Sequence, residues 1–178
     1  MIGLSKGVVI LAPHDNTWHD EYEKEKQRLQ TILGDLALDI QHVGSTSLPV
    51  IKAKPIIDIA VGVKDRQTVL EALKILEGYP EYDTIDSIKN EDEVLVRLGP
   101  TTNRTHYIHI EVYNSWKWEE HIVFRDYMRT HPEDLQKYQE IKVYASEAFK
   151  NERKKYTAYK DEFIKGILAK AKAELKNQ

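Results

Sequence analysis

Eight consecutive residues, Ile56-Ile57-Asp58-Ile59-Ala60-Val61-Gly62-Val63, constrain this chain more than any other stretch. They are apolar and rich in β-branched side chains, with Asp58 as the one charge. Such a run predicts a central strand buried on both faces. A strand of that kind must be paired along its edges and covered above and below, so the rest of the chain has to supply further strands and amphipathic helices. It also makes Asp58 conspicuous, because a carboxylate in a buried strand needs partners or a function.

The remaining sequence contains the required parts. From Thr17, TWHDEYEKEKQRLQTILGD puts Trp18, Tyr22, Leu29, Ile32 and Leu33 along one helical stripe, with Gly34 as a stop. Arg66 to Glu77 repeats the pattern with Val69, Leu70, Leu73 and Leu76. Leu38 to Val43, Tyr79 to Thr84, Val94 to Leu98 and Tyr107 to Val112 read as further strands, joined by a polar segment around Asn90 and by Gly99-Pro100-Thr101-Thr102-Asn103. Helices follow at Trp118 to Thr130, at Pro132 to about Lys150, and at Lys154 to about Leu175, with Pro132 suited to a first turn. The expected architecture is α/β (α+β), a mixed sheet over about 38–113 and a helical C-terminal part over about 116–175. At roughly 150 residues per domain, 178 residues without an internal repeat, low-complexity tract or linker predict a single unit.

Composition narrows the chemistry. With no cysteine there is no disulfide, thiolate metal site or cysteine nucleophile, and any metal must sit on oxygen or imidazole. A net charge of -3, from 26 Lys+Arg against 29 Asp+Glu, argues against a globally basic nucleic-acid coat. The balance hides an asymmetry: residues 77–96 hold seven acids and one base, whereas residues 150–178 hold nine bases and four acids. Two solvated faces of opposite sign explain this better than a nucleic-acid patch, because aromatic interleaving is thin in the basic part. The N-terminal apolar run is too short for a signal peptide and no stretch reaches the ~20 apolar residues that cross a bilayer, so a soluble, cytoplasmic protein without a membrane partner is expected.

Two clusters could carry chemistry. His42-Val43-Gly44-Ser45-Thr46-Ser47, just ahead of Lys54 and Asp58, combines a glycine turn, hydroxyl and amide donors, nearby lysines and a strand carboxylate. That set suits a phosphate and a Mg²⁺ ion, although a serine-rich turn beside one satisfied Asp would spell the same letters. In His106-Tyr107-Ile108-His109-Ile110-Glu111, period two places Tyr107, His109 and Glu111 on one face of a strand, where an imidazole and a carboxylate could bind metal or share a proton. The polar side of an edge strand is the plain alternative. Among the helices, Arg125 could reach an anion or pair with Asp126. Tyr138 with Lys142, and Tyr156 with Lys160, share helix faces at i,i+4 spacing, either as simple packing or as ligand clamps.

The strings HVGSTSLPVIKAKPIIDIAVGV, THYIHIEVY, VFRDYMRTHPEDLQKYQEIK and YTAYKDEFI, in this order between about Trp18 and Ala171, resemble the GrpB family, whose members are related in fold to the nucleotidyltransferase superfamily. The resemblance implies a nucleotidyltransferase-like mixed sheet with flanking helices. It further implies a Gly-Ser turn for nucleotide phosphates at Gly44 and Ser45, beside which the residues' own chemistry makes Ser47, Lys54 and Arg125 expected phosphate contacts. Its first metal-binding acid falls at Asp58 and a further one at Glu111, both in catalytic positions; the neighbouring imidazole of His109, read from the strand itself, could add a neutral third ligand for Mg²⁺ or Mn²⁺. The superfamily's second acid position is Ala60 here, which leaves too little negative charge for a two-ion site. Two readings therefore stay open: a metal-dependent nucleotidyl or phosphoryl transferase acting on a nucleotide, and a non-catalytic module that binds a nucleotide or other phosphorylated ligand without the full metal site.

Overall fold

In the computed structural model, which describes residues 2–88 and 93–176, the chain runs through α1 (Thr17–Leu33), β1 (Asp39–Val43) and a 3-10 turn at Ser45–Ser47. It continues through β2 (Ile57–Val63), α2 (Arg66–Leu76), β3 (Tyr82–Asp83), β4 (Val94–Leu98) and β5 (His106–Val112). The helices α3 (Trp116–Thr130), α4 (Pro132–Ala148) and α5 (Arg153–Leu175) complete it. The strands form one mixed sheet in the order β1-β2-β5-β4-β3, with β2 and β5 parallel and the other neighbours antiparallel. The apolar run thus becomes β2, paired on both edges, and the α/β class expected from the sequence is the one observed.

Alternation divides the sheet into two faces. Ile57, Ile59, Val61 and Val63 of β2, with Ile108 and Ile110 of β5, pack against Trp18, Tyr22, Leu29 and Leu33 of α1 and Val69, Ala72, Leu73 and Leu76 of α2. Full burial of each such aliphatic side chain contributes about 1.5–3 kcal/mol. Asp65 fixes the start of α2 by accepting from the Thr68 amide at 2.9 Å. The opposite face carries Asp58, Ala60 and Gly62 of β2 beside Tyr107, His109 and Glu111 of β5. It is covered by α3, whose first turn is capped by the Ser115 hydroxyl accepting from the Trp118 amide at 3.3 Å. A second apolar cluster, including Leu48, Ile51, Phe124, Met128, Leu135, Tyr138 and Ile167, locks α4 and α5 onto α3.

The strand expected at Tyr79 to Thr84 shrinks to Tyr82–Asp83. Pro80 has no amide to offer the ladder, so pairing begins only beyond it. The polar connection around Asn90 lies outside the described residues. The edge-strand alternative for His106 to Glu111 does not hold, since β5 runs between β2 and β4.

Candidate functional site

A cleft of about 330 Å³ opens where the turn after β1, the C-terminal helices and the polar sheet face meet. Gly44 shapes its floor. Its φ of +66° is a left-handed conformation, and a Cβ added there would come within 2.5 Å of Asp58 Oδ2. Glycine is therefore required both by the backbone and by the carboxylate pressed against it. Beyond it, Ser45 Oγ lies 3.2 Å from Tyr138 Oη, which α4 delivers from 93 residues away.

Cations form the walls. Lys54, Lys117, Arg153 and Lys160 line the cleft, as do Asp58, Glu120 and Asp161. Lys117 is paired with Glu120 at 3.8 Å, and Asp161 with Lys165 at 2.8 Å. That leaves Lys54, Arg153 and Lys160 facing Asp58. Burial, followed by the charges of Arg153 and Lys160, pulls Lys54 down to about 7. Burial lowers Lys160 to about 8, against the pull of Asp58 and with the help of Arg153. Each ammonium also sits over an aromatic ring: Lys54 and Lys160 are 5.4 and 4.3 Å from the Tyr156 centroid. Arg153 donates to the Tyr107 hydroxyl and lies 4.8 Å from that ring. A group of crowded, partly desolvated cations favours occupation by an anion.

Asp58 is half-buried at the cleft floor, with 30% of its side chain exposed. Burial raises its pKa, yet His109 and Lys54 outweigh this and hold it below the ordinary value. His109 Nε2 lies 3.6 Å from Asp58 Oδ1, and its Nδ1 lies 3.5 Å from Glu93 Oε1. Burial alone would neutralise this imidazole, but the two carboxylates overcome it and push it up to about 10. One step further along β5, Glu111 is fully buried with Oε1 3.2 Å from His121 Nε2 of α3. His109, Glu111 and His121 each bring a metal-ligating atom within 4.8 Å of the others.

Gly44, Ser45, Lys54 and Asp58 thus line the cleft, while His109 joins Asp58 on one side to Glu111 and His121 on the other. Ser47 and Arg125 are corrected. The Ser47 hydroxyl turns back to donate to the Gly44 carbonyl at 2.7 Å. Arg125 donates to Gln41 Oε1 at 2.7 Å, to the His42 carbonyl at 3.1 Å and to Asp126 Oδ1 at 2.8 Å, pinning α3 to β1. Neither lines the cleft. The three histidines of the two clusters also part company. His42 stacks on Tyr22 at 4.8 Å on the α1 side, and burial drives it down to about 3; His106, on the same face, is driven down to about 4. Ala60, where a second acid would stand, is fully buried beside Val43, Trp118 and Ile122.

Sequence reasoning missed His121, Glu93 and Arg153. Glu93 immediately precedes β4, whose register with β5 sets it diagonal to His109, within 3.5 Å of Nδ1, and His121 lies in the helix that follows β5 back over the sheet. The basic C-terminal segment is not a solvated face throughout, since Arg153 and Lys160 line the cleft.

The fold and site define an α/β protein with a cation-lined cleft above a carboxylate-imidazole cluster. The chain belongs to the GrpB family, whose model, described as GrpB protein, matches residues 8–170. It is 37% identical over 174 residues to the glutamate-rich protein GrpB of Alkalihalophilus pseudofirmus, covering 94% of this chain and 98% of that one. The crystal structure of conserved protein GrpB from Enterococcus faecalis matches with a TM-score of 0.83 at 31% identity, over 93% of this chain and 99% of that chain. A looser match, with a TM-score of 0.46 at 11% identity, links 78% of this chain to 43% of terminal uridylyl transferase 4 from Trypanosoma brucei.

Proposed function

We propose that the cleft binds a nucleotide or similarly phosphorylated small molecule and supports cation-assisted nucleotidyl or phosphoryl transfer. The observation that carries this reading is the placement of Lys54, Arg153 and Lys160 around Ser45 with Asp58 on the floor. Transferring phosphoryl groups carry negative charge on several oxygens, and catalysis of their transfer is mainly positioning and charge neutralisation. Lys54, Arg153 and Lys160 bind the phosphate oxygens, and the Ser45 hydroxyl orients them. Tyr156 keeps two of the ammonium groups aimed inward. Asp58, ionised and reachable from solvent, accepts the proton of an attacking hydroxyl or holds a cation. The orphaned, fully buried Glu111 Oε2 beside two imidazoles fits a divalent ion held by His109, Glu111 and His121. Such an ion supplies Lewis-acid neutralisation of developing phosphate charge.

A thermal-shift and calorimetry series with ATP, pyrophosphate and inorganic phosphate, each with Mg²⁺, with Mn²⁺ and with chelator, tests the reading. Ligand at 100-fold above Kd stabilises by about 2.7 kcal/mol, or roughly 5–10 °C in Tm for a chain of this size. Lys160→Ala and Arg153→Ala should each remove most of that shift, and no shift with any phosphate ligand would refute the reading. Because Lys54 and Lys160 are held down at about 7 and 8, anion binding at about pH 7.5 should take up protons. Calorimetry in buffers of different ionisation heat reads that uptake directly.

The non-catalytic module remains the second reading, favoured by one observation: Ala60 is sealed under Trp118 and leaves Asp58 as the one carboxylate that β2 presents to this face. Tight phosphate binding that is indifferent to chelator, with no turnover of labelled nucleotide, would select it.

A further inference from the structure

The ion suggested by the family resemblance is Mg²⁺ or Mn²⁺, but the donor set beneath the cleft has a different chemistry. We propose that His109, Glu111 and His121, with Asp58 as an exchangeable fourth ligand, form a site for a borderline transition ion of the zinc class. This deepens the cation part of the function proposed above and holds without any nucleotide present.

Four observations support it. First, the strand and the following helix already gather the donors. His109 and Glu111 are two apart on β5 and share a face, and α3 folds His121 back until its Nε2 is 3.2 Å from Glu111 Oε1. Ligands on one tetrahedral zinc ion stand ~3.3 Å apart, as follows from bonds of about 2.0–2.2 Å. All three ligand atoms lie within 4.8 Å of one another, so small side-chain rotations close the set. Gly62 stands opposite Glu111 in the ladder, where Trp118 and Tyr113 already crowd it and a Cβ would meet both rings.

Second, Glu111 Oε2 is buried, and no donor among the described residues reaches it. A fully buried carboxyl oxygen without a hydrogen bond is costly unless a cation takes the place of the donor.

Third, His109 has a carboxylate on each side: Glu93 at 3.5 Å from Nδ1 and Asp58 at 3.6 Å from Nε2. A carboxylate on the far nitrogen is the usual device that fixes the ring of a metal-binding histidine and strengthens it as a ligand. Glu93 stands at ion-pair distance from that buried nitrogen without a formed hydrogen bond, so a small turn of the ring brings it into the supporting role.

Fourth, two imidazoles with one or two carboxyl groups suit zinc and its stand-in cobalt, whereas Mg²⁺ and Mn²⁺ favour oxygen ligands and retained water. Access is open, because His121 and Asp58 both line the cleft, with 27% and 30% of their side chains exposed.

The test uses the full chain without nucleotide. Protein stripped with chelator is titrated with Zn²⁺, Co²⁺ and Mg²⁺ by calorimetry, and the visible d–d bands of bound Co²⁺ report its ligand field. One Co²⁺ or Zn²⁺ per chain, bound at least ~100-fold more tightly than Mg²⁺, is expected from the donor set. His121→Ala lies on a partly exposed helix position and should fold normally by circular dichroism while weakening Co²⁺ binding by roughly 100-fold and shifting its spectrum. Glu93→Gln should weaken binding by roughly 10-fold with the spectrum retained, as expected of a supporting contact. Equal affinity for Mg²⁺ and Zn²⁺, absence of ion binding, or a Co²⁺ spectrum indifferent to His121→Ala would each overturn the proposal. Phosphate binding measured in chelator is a separate readout, so failure of this site and failure of the phosphate cleft are told apart.

Discussion

His106 and His109 sit three residues apart on the same strand, yet burial drives the first down to about 4 while the second is held up at about 10. The difference is the face. His106 points with Ile57 into the layer under α1 and α2, where desolvation outweighs the upward pull of the Glu21 backbone, the Glu21 charge and the Asp58 charge. His109 points with Asp58 and Ala60 toward α3, between two carboxylates. One backbone thus serves two environments: an apolar face that holds the fold together and a charged face that holds chemistry.

The comparison can be broken by substitution. On the apolar face, Ile108→Ala empties a fully buried position and should cost about 2–5 kcal/mol in chemical denaturation, with phosphate affinity unchanged at temperatures where the variant is folded. Acid probes the same face. His42 and His106 are neutral in the folded protein down to about 3 and 4 but gain a proton near 6.5 when unfolded. The unfolded chain therefore binds more protons over that window, and stability falls as pH drops below about 6.5. At about pH 5 each contributes a loss of about 2 kcal/mol. A pH series of melting temperatures checks this, and His42→Asn should flatten it. His109 titrates with the opposite sign: its stabilising contribution is complete below about 6.5 and fades as pH rises toward about 10.

Between the faces lies the turn. Gly44→Ala should cost about 1–3 kcal/mol from left-handed backbone strain, and it should also abolish phosphate binding by displacing Asp58. Arg125→Ala sharpens the assignment of that residue: loss of its bonds to Gln41 and His42 should destabilise the chain by about 1–3 kcal/mol while leaving anion affinity within about twofold. The smallest stability change is expected on the charged face, where Asp58→Asn should stay within about 1 kcal/mol because the group is partly exposed. The same variant should still lose the cation-dependent part of any nucleotide-induced shift.

Much of the fold was legible because period-two and period-3.6 patterns are local. The run around Asp58 and the stripe from Trp18 to Leu33 required no knowledge of the remainder of the chain. The shortened β3 was also readable in principle from Pro80. The cluster was only half legible: alternation placed His109 with Glu111, but nothing local brings His121 or Glu93 to them, since that depends on how α3 folds back and on the β4–β5 register. Arg125 misled for a related reason. A guanidinium beside a carboxylate looks the same in sequence whether it faces a ligand or, as here, the Gln41 side chain and a backbone carbonyl of β1.

The cleft walls come from opposite parts of the chain. Lys54 and Asp58 precede Arg153 and Lys160 by about a hundred residues, and the cleft is walled only after α4 and α5 have docked over its floor. During synthesis the sheet can therefore assemble while its charged face is still open to water. A ligand that bridged Ser45 and Lys160 would act as a clasp between the sheet and α5, two parts of the chain that are far apart in sequence.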